Sequence, residues 1–132
     1  MPDMIDTKPF DLLVVGEINP DLILRGDVTP AFGQVEKLVD DATLTIGSSS
    51  VIFACGAARL GLRVAFAGVV GDDVFGQFMV SQMLARAIDT SAIVIEPSLR
   101  TGLSVILSRA TDRAILTFAG SIAALRYEQI DL

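Results

Sequence analysis

The sequence predicts an α/β fold: a parallel sheet with helical crossovers plus a small antiparallel β lid, in one domain over 1–132. Short, continuous apolar runs at 12–15, 64–70 and 93–95 have the composition of strands buried on both faces. Segments with helix caps and helical apolar spacing lie between these runs and supply the crossovers. Two further pieces, 22–46 and 101–118, alternate loosely between apolar and polar residues. They suit a separate sheet with one wet face. The core is then expected over 10–21, 47–100 and 119–132.

Composition narrows the function. A chain of 132 residues can bury a real core. Its 52% hydrophobic share is high, which points to elements buried on both faces or to a surface meant for another chain or a missing segment. With 10 basic and 16 acidic residues the net charge is −6, and no basic stripe exists for a nucleic acid to follow. The apolar stretches are too short to cross a bilayer, so no membrane partner is expected. Cys55 is the single cysteine, which excludes an internal disulfide. Met1-Pro2-Asp3 carries an acid where a signal peptide would carry basic residues, so a cytoplasmic location is expected. The chain has no histidine, which removes Ser–His catalysis and most transition-metal sites.

Residues 1–9 are polar, contain Pro2 and Pro9, and read as a loose leader. The first strand, 12–15, stops at Gly16 and leads into the polar loop Gly16-Glu17-Ile18-Asn19-Pro20-Asp21. Open α/β sheets bind ligands at such strand ends. Asn19 and Asp21 together can donate and accept hydrogen bonds to the adjacent hydroxyls of a small polyol, although both residues also serve as turn formers. A short strand over 22–24 precedes a loop from Gly26 to Gly33, and 35–46 reads as an antiparallel strand pair. The serines of Gly47-Ser48-Ser49-Ser50 are N-cap candidates for a helix rich in small residues that stops at Gly61. After the strand 64–70, Asp72 or Asp73 can cap a second helix. Val74 and Phe78, with Phe75, Met79 and Met83, fall at helical spacing and are expected on its core face. A third core strand is expected over 93–95. A hairpin over 101–107 and 114–118 turns through Ala110-Thr111-Asp112-Arg113, and 121–132 holds a short helical turn before Asp131-Leu132.

In this order the motifs resemble the ribokinase-like (PfkB) carbohydrate kinases, from about Asp11 to the last residue. The resemblance rests on Gly16-Glu17-Ile18-Asn19-Pro20-Asp21, on Gly47-Ser48-Ser49-Ser50 with the helix ending Ala58-Arg59-Leu60-Gly61, and on Gly68-Val69-Val70-Gly71-Asp72-Asp73-Val74-Phe75-Gly76. It continues through Arg100-Thr101-Gly102 and Asp112-Arg113-Ala114-Ile115-Leu116-Thr117. It implies a sugar kinase that moves the ATP γ-phosphoryl to a hydroxyl of a sugar or sugar-like acceptor, with Mg²⁺. Asp21 matches the family's sugar-gripping aspartate and Asn19 its neighbouring polar contact. Gly47 and Ser48 match a pair of glycines whose backbone meets the acceptor.

Two departures concern the acceptor. Ser48 replaces the second glycine, and Ile52 stands where many members carry an acceptor-holding asparagine. The acceptor is then expected to be less hydroxylated than ribose or differently placed. Arg100 could reach it from the lid, though a solvated strand-start arginine is the simpler reading. Asp72 and Asp73 are assigned to capping.

The family's donor half is a later segment with a Gly-Ala-Gly-Asp type motif for phosphate and general base, preceded by an Asn/Glu motif for Mg²⁺. Neither follows Asp72-Asp73 here. The sequence is therefore expected to hold the acceptor and lid half, with no catalytic residue and no residue for ATP or a metal, and to be inactive alone. Because lid sheets meet at dimer interfaces in the family, a homodimer through 22–46 and 101–118 is also expected. A non-catalytic sugar-binding or assembly module is the alternative. A phosphoacceptor receiver domain fails for want of a lysine after Lys37, and a dinucleotide-binding domain for want of a Gly-x-Gly-x-x-Gly turn after the first strand.

Overall fold

A computed structural model describes residues 8–130. The leader 1–7 and the terminal Asp131-Leu132 lie outside the described residues. The elements run β1 (Leu12–Val15), β2 (Pro20–Arg25), β3 (Asp41–Ile46), α1 (Ser49–Arg59), β4 (Val64–Gly71), α2 (Val74–Ala85), β5 (Ile88–Glu96), β6 (Leu103–Arg109) and β7 (Asp112–Phe118). Two 3₁₀ turns follow, Gly120–Ala123 and Tyr127–Gln129.

The core is a three-stranded sheet in the order β1-β4-β5, parallel throughout. β4 is buried along its whole length, as its unbroken apolar run requires. Its Val64, Phe66 and Val70 share one face and pack with Val51, Ala54 and Ala57 of α1 and with Met79 and Met83 of α2. Both helices therefore cover the same face. That follows from two crossovers that step across the sheet in the same direction. On the opposite face Leu13 lies beside Ala65 and Val15 beside Ala67. Leu13 and Val15 are 40% and 42% exposed, and no α-helix packs over them among the described residues.

A second, four-stranded sheet runs β3-β2-β6-β7. Its β2–β3 and β6–β7 pairs are antiparallel as expected, but β2 and β6 lie parallel. The mixed sheet has a simple cause. β2 follows the carboxyl end of β1, and β6 that of β5. Both enter the lid from the same side of a parallel core.

Several boundaries differ from the sequence reading. β2 begins at Pro20, so Asp21 stands on a lid strand and not in the loop after β1. Proline is tolerated there because the first residue of a strand needs no ladder donor. In place of a strand pair over 35–46, only Asp41–Ile46 is strand. The left-handed residues Gly33 (φ 91) and Gln34 (φ 63) interrupt the pattern, and Lys37 is drawn away to Asp27 (2.8 Å) and the Thr29 carbonyl (2.9 Å). The β6–β7 turn is tighter than expected, with Arg109 already paired to Asp112. Val74 is 76% exposed: as the first residue after the cap it turns away from the core that holds Met79 and Met83. β5 extends over nine residues, beyond the run 93–95.

One ion pair fastens β1 to β4 at their starts. Arg63 Nη2 lies 2.6 Å from Asp11 Oδ1, while the Arg63 N–H donates to Asp11 Oδ2 at 2.8 Å. The Arg63 side chain, and then its backbone N–H, hold the Asp11 carboxyl down from 3.8 to about 2. A folded-state value below the unfolded one stabilises above the unfolded value, and the benefit fades as pH falls through the folded one. Asp11→Asn is therefore expected to lower Tm at neutral pH. The gap from wild type should close between pH 3.8 and about 2 in a series of melting curves.

Candidate acceptor site

The lid joins the core through short connections at the carboxyl ends of the core strands, and the candidate site forms there. Gly16 ends β1 beneath the Ser50 side chain, and a Cβ at Gly16 would run into the Ser50 hydroxyl. Ile18, fully buried in the core cluster, pins the loop that follows. Asn19 comes next and is only 6% exposed. No described residue hydrogen-bonds its side-chain amide. That amide stays open to solvent, since no fully enclosed side-chain nitrogen or oxygen among the described residues lacks a partner.

The Asn19 carbonyl accepts from the Gly47 N–H at 3.1 Å, which ties the β1–β2 loop to the β3–α1 turn. Asp21 presses against Gly47 from the other side. A Cβ on Gly47 would collide with the Asp21 carboxylate and stand 2.7 Å from the Asn19 carbonyl oxygen. Glycine is required here by close approach. The structure thus brings Asn19, Asp21 and Gly47 together.

Ser48 is the N-cap of α1, at φ 68 and ψ 126, a conformation that favours glycine. Holding a serine there costs of order 1–3 kcal/mol and persists only where surrounding contacts enforce it. Its Oγ accepts from the Val51 N–H at 3.4 Å and donates to the Glu17 carbonyl at 2.6 Å. The extra hydroxyl that the sequence introduces is thereby engaged by the protein. Ser49 and Ser50 donate to the two oxygens of the Glu17 carboxylate, at 3.2 and 3.1 Å. The Glu17 backbone N–H, aided by Ser50 and Ser49 against the opposing effect of burial, holds this carboxyl below its ordinary value. Asp21 behaves in the opposite way: burial pushes its carboxyl up, and the positive charge of Arg113 pulls it partly back.

Register places Asp21 in a row with Thr45, Ser104 and Thr117 across all four lid strands. Paired residues share a face, so a carboxylate and three hydroxyls line one side of the lid. Ser104 and Thr117 hydrogen-bond each other at 2.8 Å.

Two other residues singled out from sequence have these surroundings. Ile52 sits one helical turn beyond Ser48 and lines a hollow of about 470 Å³ with Ile46, Cys55, Arg59 and Arg86. The exposed Arg100 stacks on Phe118, 5.3 Å from the ring centroid. Phe118 pairs with Leu103, one position out of step with the Asp21 row, so it points to the opposite face.

Asp73 is the N-cap of α2, as assigned. Its Oδ1 accepts from the Gly76 N–H at 2.9 Å and its Oδ2 from the Thr101 N–H at 2.7 Å. The buried Thr101 Oγ1 in turn accepts from the Gly71 N–H at 2.9 Å. This carboxylate therefore fastens the root of β6 to the core. Burial would raise its pKa, but hydrogen bonds from Gly76 and Thr101 prevail and lower it.

Sequence reasoning missed the use of Glu17 and the row Thr45–Ser104–Thr117. Glu17 carried no local signal, because its serine partners lie more than thirty residues away. The row becomes visible only once the lid register is known.

Comparison with known proteins identifies the family. The profile of the pfkB family carbohydrate kinases matches residues 10–131. A 5-dehydro-2-deoxygluconokinase of Geobacillus thermodenitrificans is 33% identical over 129 residues, which is 96% of this chain and 37% of the relative. The counterpart from Geobacillus kaustophilus is also 33% identical, over 95% of this chain and 36% of its own length. The chain thus spans little more than a third of the curated relatives it matches. Among solved structures, Halothermothrix orenii fructokinase superposes with a TM-score of 0.74 at 23% identity, covering 88% of this chain and 40% of that one. A PfkB protein from Polaromonas gives 0.79 at 22% identity, covering 92% and 40%. At such identities the structural likeness shows the ribokinase-like fold. The profile match over nearly the whole chain goes further: this chain belongs to the pfkB family of carbohydrate kinases.

Proposed function

We propose that these residues form the acceptor-binding and lid portion of a carbohydrate kinase. The kinase would transfer the γ-phosphoryl of ATP to a hydroxyl of a sugar or sugar-like acceptor in the cytoplasm. One observation carries the reading: the nearly buried Asn19, whose side-chain amide has no hydrogen-bond partner among the described residues, meets the bare backbone of Gly47 through its carbonyl, and the Asp21 carboxylate meets the same glycine. An amide both donates and accepts while an ionised carboxylate only accepts, so the pair can grip neighbouring hydroxyls of one molecule. The row of lid hydroxyls beside Asp21 extends that surface. The relatives' name, 5-dehydro-2-deoxygluconokinase, makes a deoxygenated keto sugar acid a candidate acceptor. Ile52, standing where many family members carry an acceptor-holding asparagine, offers fewer polar contacts and suits such an acceptor.

The residues present do not fit ATP and Mg²⁺. Phosphate favours a helix N-terminus with open N–H groups. Here a carboxylate already stands at each: Glu17 bonds the first turn of α1, and Asp73 caps α2. Among the described residues no group of three or more Cys, Asp or Glu is placed to hold a metal ion. No transfer step is assigned to this chain's own side chains.

The test pairs binding with turnover. Calorimetry on the chain with 5-dehydro-2-deoxygluconate and D-fructose is expected to give measurable binding of one of them. ATP-coupled assays on the same sugars should show no turnover. Robust turnover would place catalytic groups within these residues, and failure to bind any sugar of a wider panel would remove the acceptor reading.

A second reading, an assembly module that pairs through its lid, draws on β7. Every residue of this strand is exposed, and its outer edge is unpaired among the described residues. Such an edge is a template for another strand. Sedimentation that gives only monomer at high concentration would reject it.

A further inference from the structure

We infer that Glu17 is a positioning residue for the acceptor site, which it controls through the Gly47–Ser48 turn. This inference rests on the acceptor reading given above. Glu17 lies in the β1–β2 loop, yet it engages three consecutive residues at the start of α1. Its main-chain carbonyl takes the Ser48 hydroxyl, and its carboxylate takes those of Ser49 and Ser50. The first turn of α1 contains no acidic residue of its own. A negative charge is favourable at that end of a helix dipole, and Glu17 supplies it from another element.

The position of this contact gives it a function. Ser48 holds a φ of 68, which a serine adopts only under constraint. Immediately before it, Gly47 is bonded to Asn19 and faces the Asp21 carboxylate. The turn is therefore held from two sides, by Asn19 at Gly47 and by Glu17 at the three serines. Releasing the carboxylate from Ser49 and Ser50 loosens the start of α1 and leaves Ser48 tied to the loop through the Glu17 carbonyl, a weaker hold that lets Ser48 relax toward an ordinary conformation. Gly47 would then shift relative to Asn19 and Asp21, the residues that meet the acceptor. Gly16 belongs to the same arrangement, because only a residue without a Cβ leaves room for Ser50 to reach Glu17.

Glu17 itself need not touch the acceptor. A glutamine there can accept from one serine hydroxyl and donate to the other. An alanine can do neither. Losing hydrogen bonds to a charged group is worth about tenfold in an equilibrium, which sets the scale of the effect.

The test uses the 132-residue chain with 5-dehydro-2-deoxygluconate and D-fructose as probes. In Glu17→Ala, exchange of the Gly47, Val51 and Ile52 amides is expected to accelerate about tenfold, with the β4 amides unchanged. Affinity for whichever probe the wild type binds should fall by a similar factor, and Glu17→Gln should restore most of both. Unchanged exchange in the turn overturns the inference. Faster exchange with unaltered affinity also overturns it, since Glu17 would then serve stability alone. Should Glu17→Ala fail to fold, Ser49→Ala combined with Ser50→Ala removes the same side-chain bonds, and its two readouts decide in the same way. A wild type that binds no sugar of the wider panel removes the acceptor reading, while the exchange data still show whether Glu17 holds the turn.

Discussion

Replacing Gly47 with alanine is expected to abolish acceptor binding and to destabilise the chain by about 3 kcal/mol, the upper range for forcing atoms into a packed site. The added Cβ meets the Asp21 carboxylate on one side and the Asn19 carbonyl on the other. The carbonyl belongs to backbone held by a buried neighbour, Ile18, so it cannot swing aside as a flexible side chain could. Accommodation must come from opening the Gly47 N–H to Asn19 carbonyl bond, which separates the two loops that form the site. Thermal melts and sugar titrations of Gly47→Ala check both effects. An Asp21→Ala partner isolates the two contacts. If the carboxylate contact dominates, the double variant is less destabilised than the sum of the singles; if the carbonyl dominates, the two costs add. A Gly47→Ala chain with wild-type stability and wild-type binding would contradict the close approach.

Asp73→Ala is expected to cost a comparable amount, about 3 kcal/mol, from about 1 kcal/mol for a lost N-cap and about 2 kcal/mol for an unpartnered, largely buried N–H. The two losses fall in different places. The cap belongs to α2, whereas the Thr101 N–H belongs to the connection into β6. Asparagine separates them, because its one amide oxygen can serve Gly76 or Thr101 but not both. Asp73→Asn should therefore lose about half as much stability as Asp73→Ala in urea titrations. Amide exchange at Gly102 should rise in both variants if the carboxylate secures the lid root. Exchange confined to α2 would show that Asp73 acts on its helix alone.

How far the sequence reveals this molecule depends on the range of the interaction involved. β1 and both helices followed from local pattern, because apolar runs and caps are set by neighbours a few residues away. Asp73 was legible as a cap for the same reason, whereas its hold on Thr101, 28 residues on, was not. The lid was harder. Its strands carry mixed faces, so the parallel step from β2 to β6 and the start of β2 at Pro20 depended on how two distant segments meet. Within the site, Asn19, Asp21 and Gly47 were singled out and do come together. Ile52 and Arg100 were also singled out; Ile52 lines the hollow that Ile46 and Arg86 share, and Arg100 lies over the ring of Phe118. Glu17 escaped notice because a carboxylate in a loop looks like ordinary surface until its three serines are seen around it.

The partial exposure of β1 on the sheet face away from the helices has a practical consequence. Leu13 and Val15 point away from the helices, so polar replacements there spare every contact that Phe66, Met79 and Met83 make. At these two sites solubility can be raised at the cost of only the apolar area that Leu13 and Val15 still bury.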